Sequence, residues 1–443
     1  MTKPEHASFQ QHRWKTRRRI ARMPRRGYLY IAVMFTSLVV AGMIATAVSL
    51  STSRWKSLAG DADRQAALRL AESELQRAVE QLSQDSYWRE SALGGQFNGW
   101  ISAEVFSGRA DSRTGFVVED PDGDFLDDPF DEVLLTGIGQ LGNASAAVRV
   151  RLRSAQSPAR FLKFGVTIQN DLQIDSAVLS CERDIQVGDD CIGSSDAMVV
   201  TPRLSCGGDI GLSVRGTINS DALDDGTHDV VRWFASQATE IPLAMLPYRD
   251  SERAINHALL SAQDNPYGPV NEQGIYHIDA QGTQLTIAAS RIQGTLVITN
   301  SQRIRITDAI CWESQNAALI TDSPVLFDAV GPLLDEAVCG TNFNPSSTPY
   351  GAGYQNSTLS DRYSTVFRGV FYSTNNAYVL ATSNRETLAI TGSLNVNGLY
   401  LWADLAIRSF DEVLANVPLG LSDPNRLEIA PGSYYRTVTP PTQ

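Results

Sequence analysis

Lysine is nearly absent from this sequence. Lys3, Lys15, Lys56 and Lys163 are the whole set, so past residue 160 a lysine nucleophile has only Lys163 to draw on. Histidine is sparse too. His6, His12, His228, His257 and His277 are scattered and fall at no metal-ligand spacing. There is no GxSxG, HExxH or P-loop pattern. The five cysteines also fit no zinc pattern, and their odd number leaves at least one free or shared between chains. Basic charge is missing from most of the chain. Residues 1–27 carry +8, which leaves −20 on the rest. An acidic body lacks the basic face that nucleic-acid binding needs.

Charge is absent altogether from residues 28–50, and no second apolar run of that length occurs after it. A helix of that span rises roughly 35 Å, enough for a hydrocarbon core of about 30 Å. The arginines before it should hold the N-terminus in the cytoplasm. The bulk of the chain is then expected outside an inner membrane, periplasmic or extracellular, where disulfides persist. All five cysteines lie in that part. The spacing leaves connectivity open; Cys181–Cys191 is a local candidate and Cys311–Cys339 a second.

The N-terminus admits three readings: a plain signal anchor, a cleaved secretory or twin-arginine signal, or a leader cut on the cytoplasmic side after Gly27, leaving Tyr28 first. "TRRRIAR" and "ATA" (45–47) suit the second. The segment C-terminal to the apolar run favours the third. Leu58, Ala62, Ala66, Leu70, Leu75, Val79 and Leu82 recur at helical spacing, with Arg64, Arg69, Glu72, Arg77 and Glu80 on other faces. No proline interrupts residues 28–83, so one continuous helix is expected.

The run "RRG-YLYIAVMF" followed by "RQAALRLAESELQRAVEQL" resembles the N-terminus of PilX-type minor pilins and K-type pseudopilins of type II secretion. So does "TGIGQLGNASAAVRVRLR" in the closing strands. The resemblance covers about residues 22–153. It implies a leader cut between Gly27 and Tyr28, and a membrane helix that packs with other pilin or pseudopilin subunits. Major pilins carry Glu at the fifth mature position; here that position is Ala32. The family's pairing of that carboxylate with a neighbour's terminal amine is impossible, which favours a minor or initiating subunit.

Residues 97–153 read as short strands of a small antiparallel sheet. Within them "EDPDGDFLDDPFDE" places Asp120, Asp122 and Asp124 at alternate positions around Gly123, with Asp127 and Asp128 next. Hard oxygen ligands so placed can wrap Ca²⁺; a solvated acidic turn is the plain alternative. Asp131 and Glu132 stand only loosely at the position of a twelfth-residue ligand. Residues 154–160 read as a linker.

From residue 161 short aliphatic runs recur between Asn, Asp, Gly and Ser. Spacings near 20, Val178 to Val199 to Ile218 and Leu285 to Ile304 to Val325, suit coils of a parallel β-helix. No clean ladder of identical turn residues stands out. A right-handed parallel β-helix is expected over 161–430, with a β-sandwich as the alternative. "THDVVRWFASQATEIPLAMLP" and "SERAINHALLSA" read as a partly helical excursion, 339–365 as a long polar contact loop, and 431–443 as a disordered tail.

The fold class expected is therefore α+β. A leader (1–27), a transmembrane helix (28–50), an amphipathic helix (51–96) and a small sheet form a pilin-like part, followed by the large all-β head. The function expected is a non-enzymatic filament subunit, single-pass in the inner membrane, whose head contacts a surface or glycan ligand. The alternative is a membrane-tethered β-helix enzyme acting on polysaccharide, with the carboxylates of "DALDDGTHD" (Asp224, Asp225) as its acids.

Overall fold

The computed structural model describes residues 28–85, 87–92, 96–102, 111–220, 229–351, 353–382 and 387–437. The chain divides into two units, Met1–Ala66 and Ala67–Gln443. The expected leader, with Gly27, lies outside the described residues.

The described part of the first unit is helical and belongs to one element, α1 (Tyr28–Gln84). No proline breaks it, and its apolar stretch is long enough to cross a membrane. Its hydroxyls turn inward to their own backbone. Thr36 Oγ1 donates to Ala32 O at 2.9 Å, Ser37 to Met34 O at 2.8 Å and Thr46 to Gly42 O at 3.0 Å. A lipid-facing helix needs such internal partners for its polar groups.

In the second unit the end of α1 buries Ala67, Leu70, Ala71, Glu74, Leu75, Ala78 and Leu82. The buried face therefore begins later than the spacing suggested, and Leu58 is exposed. After a short helix, α2 (Trp88–Ser91), four strands form an antiparallel meander: β1 (Gln96–Ser102), β2 (Ser112–Glu119), β3 (Val133–Leu141) and β4 (Ala144–Ser154). The amphipathic helix expected to reach residue 96 thus ends at Gln84. The segment "TGIG" of β3 explains how the helix seats. A Cβ on Gly137 would lie 2.5 Å from Ala71 O, and one on Gly139 only 2.1 Å from Ala67 O. Glycine on the strand and alanine on the helix let the two backbones touch.

This sheet is completed from the far end of the sequence. Leu427–Ile429 and Tyr435–Thr437 both pair antiparallel with β4. The tail expected to be disordered is thus a strand as far as Thr437, because β4 offers it an open edge; Tyr434 also donates to Glu72 Oε1 at 2.5 Å. Residues 438–443 lie outside the described residues. The segment 154–160 is no free linker either. Ala155 N donates to Arg426 O at 2.7 Å and Asp423 N to Ser157 O at 2.8 Å. The head is inserted between β4 and the strands that close its sheet.

The head is a parallel β-helix, which removes the sandwich alternative. Val166 pairs with Ile185, Leu172 with Cys191 and Val178 with Met198, each about one coil apart. Leu285, Ile304 and Val325 stack in register as their spacing predicted. The other predicted triple does not align: Val199 lies beside Leu179 and Val214, and Ile218 beside Leu204. Chain order and stacking order also differ. The coils run from 166 to 219 in one direction. The chain then crosses to the opposite end and winds back from 252 until 394–407 lies against 166–181. It enters and leaves the stack in mid-column.

The excursion between these blocks contains the helix Val230–Gln237, capped by Asp229, whose carboxylate accepts Arg232 N at 2.9 Å. Val230, Val231 and Phe234 cover Ile275, Val297, Ile320 and Tyr372, so that face of the β-helix is buried on both sides. "SERAINHALLSA", expected in the excursion, instead supplies the strands Glu252–Asn256 and Leu259–Ser261, because its apolar residues pair in register with 285–293. The polar loop after residue 339 is held by two wholly buried ions. Arg291 donates to the carbonyls of Phe343, Thr348 (2.9 Å) and Pro349 (3.0 Å). Glu336 accepts from Phe343 N, Asp361 N and the Tyr363 hydroxyl.

Candidate functional site

The loop between β2 and β3 gathers carboxylates. Gly123 takes φ +91°, which turns the chain back on itself. One oxygen each from Asp120, Asp122, Asp127 and Asp131 lie within 4.8 Å of one another. Asp124 and Asp128, named with them from the sequence, are outside this group. Their oxygens accept the amides of Leu126 (3.0 Å) and Phe130 (2.8 Å) and shape the loop instead. Asp131 replaces them, a residue whose spacing had looked too loose.

Asp120 is 8% exposed, and its Oδ2 is buried without a hydrogen-bond partner. Burial, then the neighbouring Asp122 carboxylate, pushes its carboxyl up to about 6, against the Asp122 amide on Oδ1. Asp122 lies in water and is held below the usual range, chiefly by the Asp124 amide. Burial also raises Asp131, helped by Asp128 and Asp127. Among the described residues, the buried cation behind the loop is Arg89, which donates to Asp131 O at 3.2 Å and packs over Trp88. One guanidinium does not neutralise four carboxylates. Four carboxylate oxygens gathered in this way are a donor set for a hard cation.

A second feature is a groove of about 840 Å³ on the head. Its floor is the corner of successive coils, with Gln293, Glu313, Gln315, Asn316 and Arg368, and Trp233 of the helix Val230–Gln237 forms part of its lining. Glu313 stands in register beside Arg368. Each also has another partner: Arg291 lies 3.6 Å from Glu313, and Glu412 lies 2.8 Å from Arg368. The groove is polar, with amides and both signs of charge.

Other candidates do not assemble. Asp224, Asp225 and His228 lie outside the described residues, and Asp229 is occupied as a helix cap. His277 shares a 2.8 Å hydrogen bond with Thr299 on the next coil. Tyr28 is the first residue of α1. All five cysteines are unbonded. The contact the structure makes is Cys191 to Cys206, Sγ to Sγ at 3.3 Å, and not Cys181 to Cys191. The reason is the coil period: residues 15 apart across a corner meet, and residues ten apart fall on different faces. Cys311 and Cys339 belong to one apolar cluster without a bond.

A corner ladder also escaped the sequence reading, because its run of identical aspartates is only three coils long. Asp190 N donates to Asp171 Oδ1 at 3.2 Å and Asp209 N to Asp190 Oδ1 at 2.7 Å. The same corner continues elsewhere through Asp279, Asn300 and Asp322. The 19-residue recurrence of Asp171, Asp190 and Asp209 was its mark in the sequence.

No family model matches the sequence, and no curated relative matches it. Among solved structures, one match is the crystal structure of the competence-associated pilin ComZ from Thermus thermophilus. It is 10% identical, covers 85% of this chain and 97% of that one, and has a TM-score of 0.24. A score of that size does not establish a shared fold.

Proposed function

We propose that this chain is a membrane-anchored minor subunit of a type IV pilus or type II secretion-type filament, with the β-helix as its interaction head. The observation that carries this is α1 itself. One uninterrupted helix has a lipid-length apolar start and an end seated, backbone to backbone, on a small glycine-bearing sheet. That arrangement lets an apolar helix exchange lipid for neighbouring helices while the sheet carries the inserted head. The loop of Asp120, Asp122, Asp127 and Asp131 is proposed to take Ca²⁺, supported by the buried, unpartnered Asp120 oxygen. The groove on the head is proposed as the contact for a surface or glycan ligand.

Leu70 is buried beside Gly139. Leu70→Asp should place a charge at the seat and abolish co-assembly with other subunits, measured by recovery in sheared filaments. Normal recovery of the variant would refute the filament reading.

A further inference from the structure

We propose that Cys191 and Cys206 form a disulfide in the exported protein, while Cys181, Cys311 and Cys339 remain thiols. The proposal rests on the reading that the head lies outside the inner membrane, in an oxidising compartment.

The two sulfurs are 3.3 Å apart and the side chains are buried, at 0% and 2% exposure. They flank one corner of the β-helix on consecutive coils. Cys191 opens the strand Cys191–Gly193 and is aligned with Leu172 and Ile210; Cys206 closes the strand Met198–Cys206 and is aligned with Val187. The corner between them is fixed on both sides. A Cβ on Gly188 would lie 1.9 Å from Gln169 O, and one on Gly207 would lie 2.1 Å from Gly188 O. Only glycine allows coils this close. The Asp171, Asp190 and Asp209 ladder ties the same three coils together through backbone amides. The sulfurs are thus held opposite each other by a corner that cannot slip. No other pair of cysteines among the described residues shows a sulfur–sulfur contact of this kind. Cys181 instead fills the space left by Gly165, whose Cβ would lie 2.3 Å from its Sγ.

Bond formation brings the sulfurs from 3.3 Å to about 2.05 Å. The two S–H bonds break and one S–S bond forms, releasing two protons and two electrons. The electrons pass to a protein disulfide, which becomes a dithiol by thiol–disulfide exchange. The Cys206 thiol gives up its contact with Asp189 O at 3.0 Å. Burial opposes the thiolate at Cys191, so exchange belongs to the winding of the coils rather than to the finished stack. The product ties the last described coil at that end, 204–219, to the coil before it.

Full-chain protein isolated from the cell envelope is denatured without reductant, alkylated and mapped by mass spectrometry. One cross-linked peptide pair joining Cys191 and Cys206, with three alkylated cysteines, is expected. Five alkylated cysteines, or a bond from Cys191 to another partner, would overturn the proposal. A second sample is reduced, unfolded and refolded with oxidised and reduced glutathione. If the bond forms there and not in the envelope protein, the pairing geometry stands and the placement outside the membrane fails. If it forms in neither, the pair itself is wrong. Cys206→Ser should lower Tm by roughly 5–10 °C without reductant and leave no difference from the parent chain once both are reduced. A deficit that persists under reductant would mean that Cys206 acts by packing alone.

Discussion

Asp120 shows how one buried oxygen sets a pH response. Its carboxyl is pushed up to about 6 by burial and by Asp122, while the unfolded chain's carboxyl titrates near about 3.9. The folded state therefore holds this proton more tightly. Its contribution to stability is complete below about pH 4 and is lost as pH rises through about 6. The size is on the order of 1–3 kcal/mol. Without divalent cation, melting temperature should fall over that window. Saturating Ca²⁺ should remove the fall, and Asp120→Asn should remove both the fall and the response to Ca²⁺. Thermal melts from pH 4 to 7 with and without Ca²⁺ check this, and a Ca²⁺-independent profile would count against the site. The acidic run was plain in the sequence. Which of its carboxylates gather was not, because that is set by the turn at Gly123 and the path of the loop rather than by residue type.

Among elements, α1 and β3 depend on each other most closely. The helical spacing of Leu70, Leu75 and Leu82 was legible, and so was the continuity of the helix. The start of the buried face at Ala67 was not, because that boundary is set by where Gly137 and Gly139 come against the helix. Gly139→Val would force a side chain into the space of Ala67 O. The cost should be about 3 kcal/mol or more, as for overpacking at a site that cannot relax. Denaturant melts of the full chain in detergent, reporting on the sheet by Trp88 fluorescence, would measure it; an unchanged midpoint would mean the helix is not seated there. The strand at Tyr435–Thr437 illustrates the opposite case. Residues 431–437, read as the start of a loose tail, supply it, and the pull of an open β4 edge far away in the sequence leaves no local mark.

At the scale of the whole molecule, the head is an insertion in a small α+β frame rather than a domain strung after it. The coil period could be read from Leu285, Ile304 and Val325. The stacking order could not, since it depends on an excursion that carries the chain to the opposite end before it winds back. An inserted head leaves the frame free to do the same work with or without a ligand. Gln315→Ala with Asn316→Ala should therefore leave filament incorporation unchanged and reduce attachment of cells to the bound surface. Loss of both together would mean that the groove serves assembly.

The filament reading as a whole turns on how the chain begins in the cell. The most direct test is the N-terminus of the protein purified from membranes, read by mass spectrometry. A start at Tyr28 is predicted, with Gly27 removed and the whole apolar helix retained. An intact Met1, or a start at Val48 with the apolar segment gone, would contradict it.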